Sequence, residues 1–254
     1  MSQGVKRAAG SLDRGLDVLE LLAEHGERKL AELPAELGCS RATAFRVLAA
    51  LQRRGYVVHN KEEHSYGLGS AAVALGQRSR AAALLRAAEP TLNRLRDDTG
   101  ETVNLAVFEG GRLIYLRILD GSFSLRMSGV VGDEAPIHAT ALGRALLANL
   151  PETQHRALAG PEPYAAFTAA TPTTLGDLEQ EVAQARQEGY AIDDQGVDVG
   201  AVCVGAAILG IDGAPVGGVS LSGPEARLSD TRRYGRAVAE AAAEISRDLA
   251  GLTP

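Results

Sequence analysis

Cysteine is nearly missing from this chain. Its 254 residues include only Cys39 and Cys203, far apart in sequence. That excludes a disulfide framework and a paired-cysteine zinc site. Long apolar runs are missing too: none approaches the ~18 residues of a membrane span. The opening residues MSQGVKRAAG lack the apolar stretch of a signal peptide. These absences predict a soluble, cytoplasmic protein without a metal site. Lysine is scarce, at 3 against 23 arginines, which reads as a coding bias. Basic residues number 26 against 32 acidic ones, and the net charge of −6 argues against a nucleic-acid partner for the chain as a whole. What the chain does have is 45% apolar residues and a length suited to two modest domains.

A local deficit reverses the charge argument. Between Glu36 and Glu62 there is no acidic residue, while Arg41, Arg46, Arg53, Arg54 and Lys61 all fall there. Residues 1–69 carry ten basic and nine acidic groups, or +1; the remainder carries 16 and 23, or −7. A division of that kind implies two tasks in two domains.

The first domain reads as three helices and a hairpin. Leu12, Leu16, Leu19 and Leu22 share a helical stripe, with Ser11 placed to cap it and Gly26 to end it. A short helix follows from about Leu30 to Leu37, with Pro34 tolerable only in its first turn. Ser40 caps a third helix whose apolar stripe is Ala44, Val47, Leu48 and Leu51. Ala42, Arg46 and Arg53 occupy the other side, with Phe45 beside them. Two short apolar runs around a polar turn at Asn60 to His64 then form a hairpin. This order is a winged helix-turn-helix. Ser40 and the helix start suit a phosphate. Arg46 suits a guanine edge, Phe45 a thymine methyl, and Lys61 and His64 at the wing tip a phosphate or the minor groove; Arg41, Ala42 and Arg53 complete the candidate DNA-binding set. The competing reading of each basic residue is an ordinary solvated face, and of Phe45 packing against the wing.

Residues 70–82 are rich in small side chains and read as a connecting helix. A further helix over 83–98 contains Pro90, which predicts a kink or break. Alternating runs then predict strands at Val103–Val107, Leu113–Leu119, Phe123–Met127, Tyr190–Ile192, Cys203–Ile211 and Val216–Leu221. Helices are expected at Thr140–Leu150, Thr173–Glu188 and Ser229–Leu249. Helices packed on an antiparallel sheet make an α+β domain. No phosphate loop or dinucleotide fingerprint is present, so no cofactor is expected. The string Gly218-Val219-Ser220-Leu221-Ser222 lacks the final glycine of a nucleophile elbow. The backbone N–H groups of Ala141 and Leu142 begin a helix, a ready anion site. Ser220 and Ser222 lie two apart on a strand, so both point to one face. Val107, Tyr115, Leu125 and Met127 are candidates for the wall of such a site.

Five blocks in order carry a family resemblance: Ser11–Leu19, Arg41–Leu51, Pro136–Ala148, Gly189-Tyr190-Ala191 with Asp193, Gly200 and Cys203, and Val219–Pro224 with Arg227. Over nearly its full length the chain resembles the IclR-type bacterial transcription regulators. The resemblance implies a winged helix-turn-helix (1–69), a linker helix (70–82) and a GAF-like effector-binding domain (83–254). It implies a repressor or activator that binds double-stranded operator DNA as a homodimer or homotetramer. In oxo-acid-binding members the ligand meets two helix-start amides, an Asp, a Cys and two Ser. Here those positions hold Ala141, Leu142, Asp193, Cys203, Ser220 and Ser222, implying a small carboxylate effector. The chain departs from the family pattern at Arg144, Gln195, Gly196 and Leu142. The competing reading is a hydrolase-like enzyme with Cys203 or Ser220 as nucleophile, completed by His138 and Asp193.

Overall fold

The computed structural model describes residues 10–123 and 129–252. The chain divides into two compact units, Met1–Ser79 and Arg80–Pro254. In the first, α1 (Ser11–His25), β1 (Arg28–Lys29), α2 (Leu33–Glu36) and α3 (Arg41–Arg53) precede the hairpin β2 (Val57–Asn60) and β3 (Ser65–Leu68), then α4 (Ser70–Gly76). Val18, Leu22, Leu33, Ala44, Val47, Leu48, Val57 and Tyr66 form its core. The stripe expected on α1 is only half buried: Leu12 is 75% and Leu16 49% exposed, while Val18 takes the inward position. The cap differs as well. Gly10 holds the N-cap position, and its N–H donates to the Asp13 carboxylate at 2.8 Å, so Ser11 is already helical. Pro34 falls in the first turn of a four-residue α2, where no intrahelical N–H is needed. β1 was not foreseen; two residues are too few to show a period, yet they pair with β3 to complete a three-stranded sheet.

The connecting helix is shorter than its composition predicts. α4 stops at Gly76, and α5 (Arg80–Thr99) begins after a break in which Ser79 Oγ donates to the Gly76 carbonyl at 2.7 Å. A serine hydroxyl competing for a backbone carbonyl favours leaving the helix. Pro90 does not break α5, which runs through it.

The second unit continues with β4 (Thr102–Glu109), β5 (Arg112–Leu119), α6 (Ala141–Ala148), α7 (Glu152–Ala159), α8 (Leu175–Glu188), β6 (Ala191–Asp194), β7 (Ala201–Leu209), β8 (Pro215–Pro224) and α9 (Thr231–Leu252). The strands form one antiparallel sheet in the order β5-β4-β8-β7-β6. Strand alternation sorts its side chains. Val103, Leu105, Val107, Val204, Ala206, Ile208, Val219 and Leu221 pack with α5 and α9 on one face. Ala106, Leu113, Ala191 and the apolar residues of α6 and α8 form the core of the other. The α+β architecture with a helix-flanked antiparallel sheet is therefore as expected. Most of the strand expected at Phe123–Met127 lies outside the described residues. α7 was missed because ETQHR offers no apolar period; a fully buried His155 anchors it, with Nδ1 2.8 Å from Glu179 and Nε2 3.2 Å from the Leu150 carbonyl.

Candidate functional site

Two surfaces carry chemistry, one in each unit. In the first unit α3 turns Ala44, Val47 and Leu48 inward. Arg41, Ala42, Phe45, Arg46 and Arg53 are all exposed, as is Lys61 in the hairpin turn. Phe45 is 53% exposed, too open for a residue packed against the wing. Ser40 Oγ accepts the Thr43 N–H at 3.2 Å and so closes the helix start. Arg46 reaches Thr43 Oγ1 at 3.4 Å and otherwise stands free of carboxylates in its segment. Tyr66 stacks on His59 at 4.5 Å, which gives that histidine a packing role.

In the second unit one cavity of about 230 Å³ lies between the sheet and the start of α6. Ala141, Leu142, Asp193, Cys203, Ser220 and Ser222, drawn from four separate segments, all line it. Register explains the convergence. Asp193 pairs with Cys203, Cys203 with Ser222, and Asn104 with Ser220, so all five side chains point to one face of neighbouring strands. Asn104 was missed, although the alternation Val103-Leu105-Val107 already placed it on the opposite face. Its amide nitrogen donates to Ser220 Oγ at 3.2 Å and Ser222 Oγ at 2.9 Å. Cys203 donates to Ser222 Oγ at 3.2 Å. Both serines therefore accept, and each keeps its own O–H to donate. Arg227 forks onto Glu101 at 2.6 and 2.8 Å, tying the end of β8 to the start of β4.

The start of α6 is seated tightly. Thr140 Oγ1 accepts the Gly143 N–H at 3.1 Å, leaving the Ala141 and Leu142 N–H groups as orphan donors of the first turn. A Cβ on Gly143 would lie 2.1 Å from the Ile137 carbonyl oxygen, and one on Gly205 3.0 Å from the Leu142 nitrogen. At Gly143 only glycine permits this approach of helix to loop, and at Gly205 a methyl would sit tightly against the start of α6.

Arg144 is buried and fully engaged. Its guanidinium donates to the carbonyls of Ile192 (2.7 Å), Ala139 (3.1 Å) and His138 (3.3 Å) and pairs with Glu181 at 2.6 Å. Asp193 is 3% exposed and accepts the Gly196 N–H at 2.7 Å. Burial pushes its carboxyl up to about 6, against the pull of Arg144 and the Gly196 N–H. Burial, with the nearby Asp193 charge, lifts the Cys203 thiol to about 12; burial likewise lifts Tyr115 to about 12. A thiol held protonated is a poor nucleophile.

The other wall candidates separate. Tyr115 lines the cavity, Val107 faces the α5–α9 core, and Leu125 and Met127 lie outside the described residues. The hydrolase-like set does not assemble: His138 points its Nε2 at the Ala165 carbonyl at 2.9 Å and packs with Tyr164 and Phe167, away from the cavity lining.

Known proteins share this organisation. The IclR helix-turn-helix domain matches residues 11–61, and the bacterial transcriptional regulator IclR C-terminal domain matches 78–247. The transcriptional repressor IclR of Escherichia coli K12 is 33% identical over 248 residues, spanning 95% of this chain and 90% of that protein. The acetate operon repressor of Salmonella typhimurium LT2 is 34% identical over 242 residues, spanning 93% and 88%. The crystal structure of Thermotoga maritima IclR matches with a TM-score of 0.77 at 27% identity, over 94% of this chain and 98% of that one. An IclR homologue of Microbacterium hydrocarbonoxydans, solved with 4-hydroxybenzoate, shares the fold with a TM-score of 0.78 at 24% identity, over 95% and 100%.

Proposed function

The chain belongs to the IclR family of bacterial transcriptional regulators, and from that premise we propose that a small carboxylate, held in the second unit, controls operator binding by the first. The protein is a DNA-binding regulator and not an enzyme, as its relatives are. The observation that carries the finer reading is the convergence of two orphan helix-start amides and two serine donors on one cavity. Such donors favour an anion with several acceptor oxygens. Leu142, Asp193 and Cys203 complete the contacts.

On the DNA side, Ser40 and Arg41 meet phosphate, Arg46, Phe45 and Ala42 meet base edges, and Arg53 and Lys61 add phosphate contacts. The protein works as a homodimer or homotetramer, since two recognition helices are needed to meet two half-sites about one helical turn apart. The effector shifts DNA affinity only by its unequal affinity for the DNA-competent and incompetent arrangements.

The test is fluorescence anisotropy on DNA from upstream of the protein's own gene, with thermal shift against a carboxylate panel. Arg46→Ala weakens DNA binding. Cys203→Ala keeps DNA binding but changes the response to the acid that raises the melting temperature. Turnover of any ligand that is lost with Cys203→Ala would overturn the reading. Light scattering of the purified protein checks the assembly.

A further inference from the structure

We infer that the carboxylate effector enters the cavity together with one proton, which settles on Asp193, so that the ligand stays an anion and Asp193 becomes a neutral hydrogen-bond donor to it. The inference rests on the carboxylate reading above and goes beyond it by fixing the protonation state in which the acid is held.

Charge and space in the cavity force the exchange. The ligand carboxylate and Asp193 would share a cavity of about 230 Å³, so the two like charges would face each other across a small space. Like charges at such range cannot both persist out of water, and one of them takes a proton. No lysine, arginine or histidine lines the cavity among the described residues. The nearest cation, Arg144 of α6, is already committed to Glu181 of α8 and to three carbonyls. The remaining groups around Asp193 are Asp194 on β6, Cys203 on β7, Tyr115 on β5, and Asp133, Glu134 and Asp198 in the flanking loops. None of them supplies a positive charge. The Ala141 and Leu142 amides carry the partial positive charge of the helix start, which holds the proton off the ligand and leaves Asp193 to receive it. Burial has already lifted the Asp193 carboxyl to about 6, and the ligand's negative charge beside it lifts it well beyond that in the complex. The proton comes from solvent, and no covalent bond changes.

Titration calorimetry of the full chain tests this, using pyruvate and 4-hydroxybenzoate in phosphate and in Tris at equal pH. The difference in heat between the two buffers counts the protons taken up. Wild type takes up close to one proton at pH 8, and Kd rises about tenfold from pH 7 to pH 8, the slope that mass action gives for one bound proton. Asp193→Asn keeps an acceptor for Gly196 but is always neutral; its binding shows no proton uptake and no pH dependence. Wild-type binding without proton uptake overturns the inference and leaves the carboxylate reading standing. Loss of binding in a stably folded Asp193→Asn, or tighter binding of L-alanine than of pyruvate, also overturns it, because each outcome requires a charged Asp193. If no carboxylate binds between pH 5.5 and pH 8, the carboxylate reading itself fails and the inference falls with it.

Discussion

On α3, Arg46 and Arg53 stand in solvent, with a hydroxyl at 3.4 Å as the only side-chain partner described for either. In the second unit Asn104, Ser220 and Ser222 are between 3% and 6% exposed and bonded to one another. The first surface is held by the helix beneath it, and its side chains remain free to fit a partner. The second is held by strand register, and its polar groups depend on each other. Substitution on the first surface should therefore change recognition and spare stability. Substitution around the second should change both.

The sharpest way to break that contrast is Gly143→Ala. The added methyl meets backbone, which cannot swing aside. We expect a loss of about 3–5 kcal/mol, lowering the melting temperature of the second unit by roughly 6–20 °C in differential scanning calorimetry, with the transition of the first unit unmoved.

Asp193→Asn should act in the opposite direction. The Asp193 carboxyl rises from 3.8 to about 6 on folding, so its contribution is fully present below the unfolded value and lost as pH climbs through 6. The asparagine variant escapes that loss. Its advantage over wild type should grow between about pH 4 and pH 6, then level off near ~3 kcal/mol at pH 8. Urea unfolding at pH 5 and pH 8 measures it; equal stability of the two proteins at both pH values would show that burying this charge carries no cost.

For the exposed surface, Arg46→Ala should weaken operator binding about 10–100-fold while stability stays within ~0.5 kcal/mol. Anisotropy and thermal melts on the same sample separate the two effects. The smallest change is Ser40→Ala, the exception on the first surface because its side chain also caps α3, expected to cost the first unit about 1 kcal/mol. Thr140→Ala provides the matching loss at α6. It should cost a similar amount and also weaken carboxylate binding, visible as a reduced thermal shift.

The same contrast governs what the sequence could reveal. An exposed basic face announces itself by composition, since the absence of acids from Leu37 to Lys61 is visible without a fold. Ser40 and Thr140 could be placed because each precedes a strong helical period. Asn104 could not be paired with Ser220 from one sequence, because strand order places β4 beside β8 across more than 100 intervening residues. α7 escaped for a different reason: its anchor is a buried histidine with two polar partners, and helical period detects only apolar anchors. The connecting helix ends early where both the hydroxyl and the N–H of Ser79 turn back to the Gly76 carbonyl, a local contact that composition does not show.

The bare positions at Gly143 and Gly205 have a consequence for how such a protein diversifies. Gly143 lets α6 close on the Ile137 backbone and Gly205 lets it close on β7, beside the cavity that Ser220 and Ser222 line. If the cavity holds the proposed carboxylate, the size of that ligand is limited in part by two residues outside the lining. A lineage could change its chemical diet through the strand and loop side chains, one substitution at a time, while this hinge-less seat stayed fixed as the gauge against which each new occupant is measured.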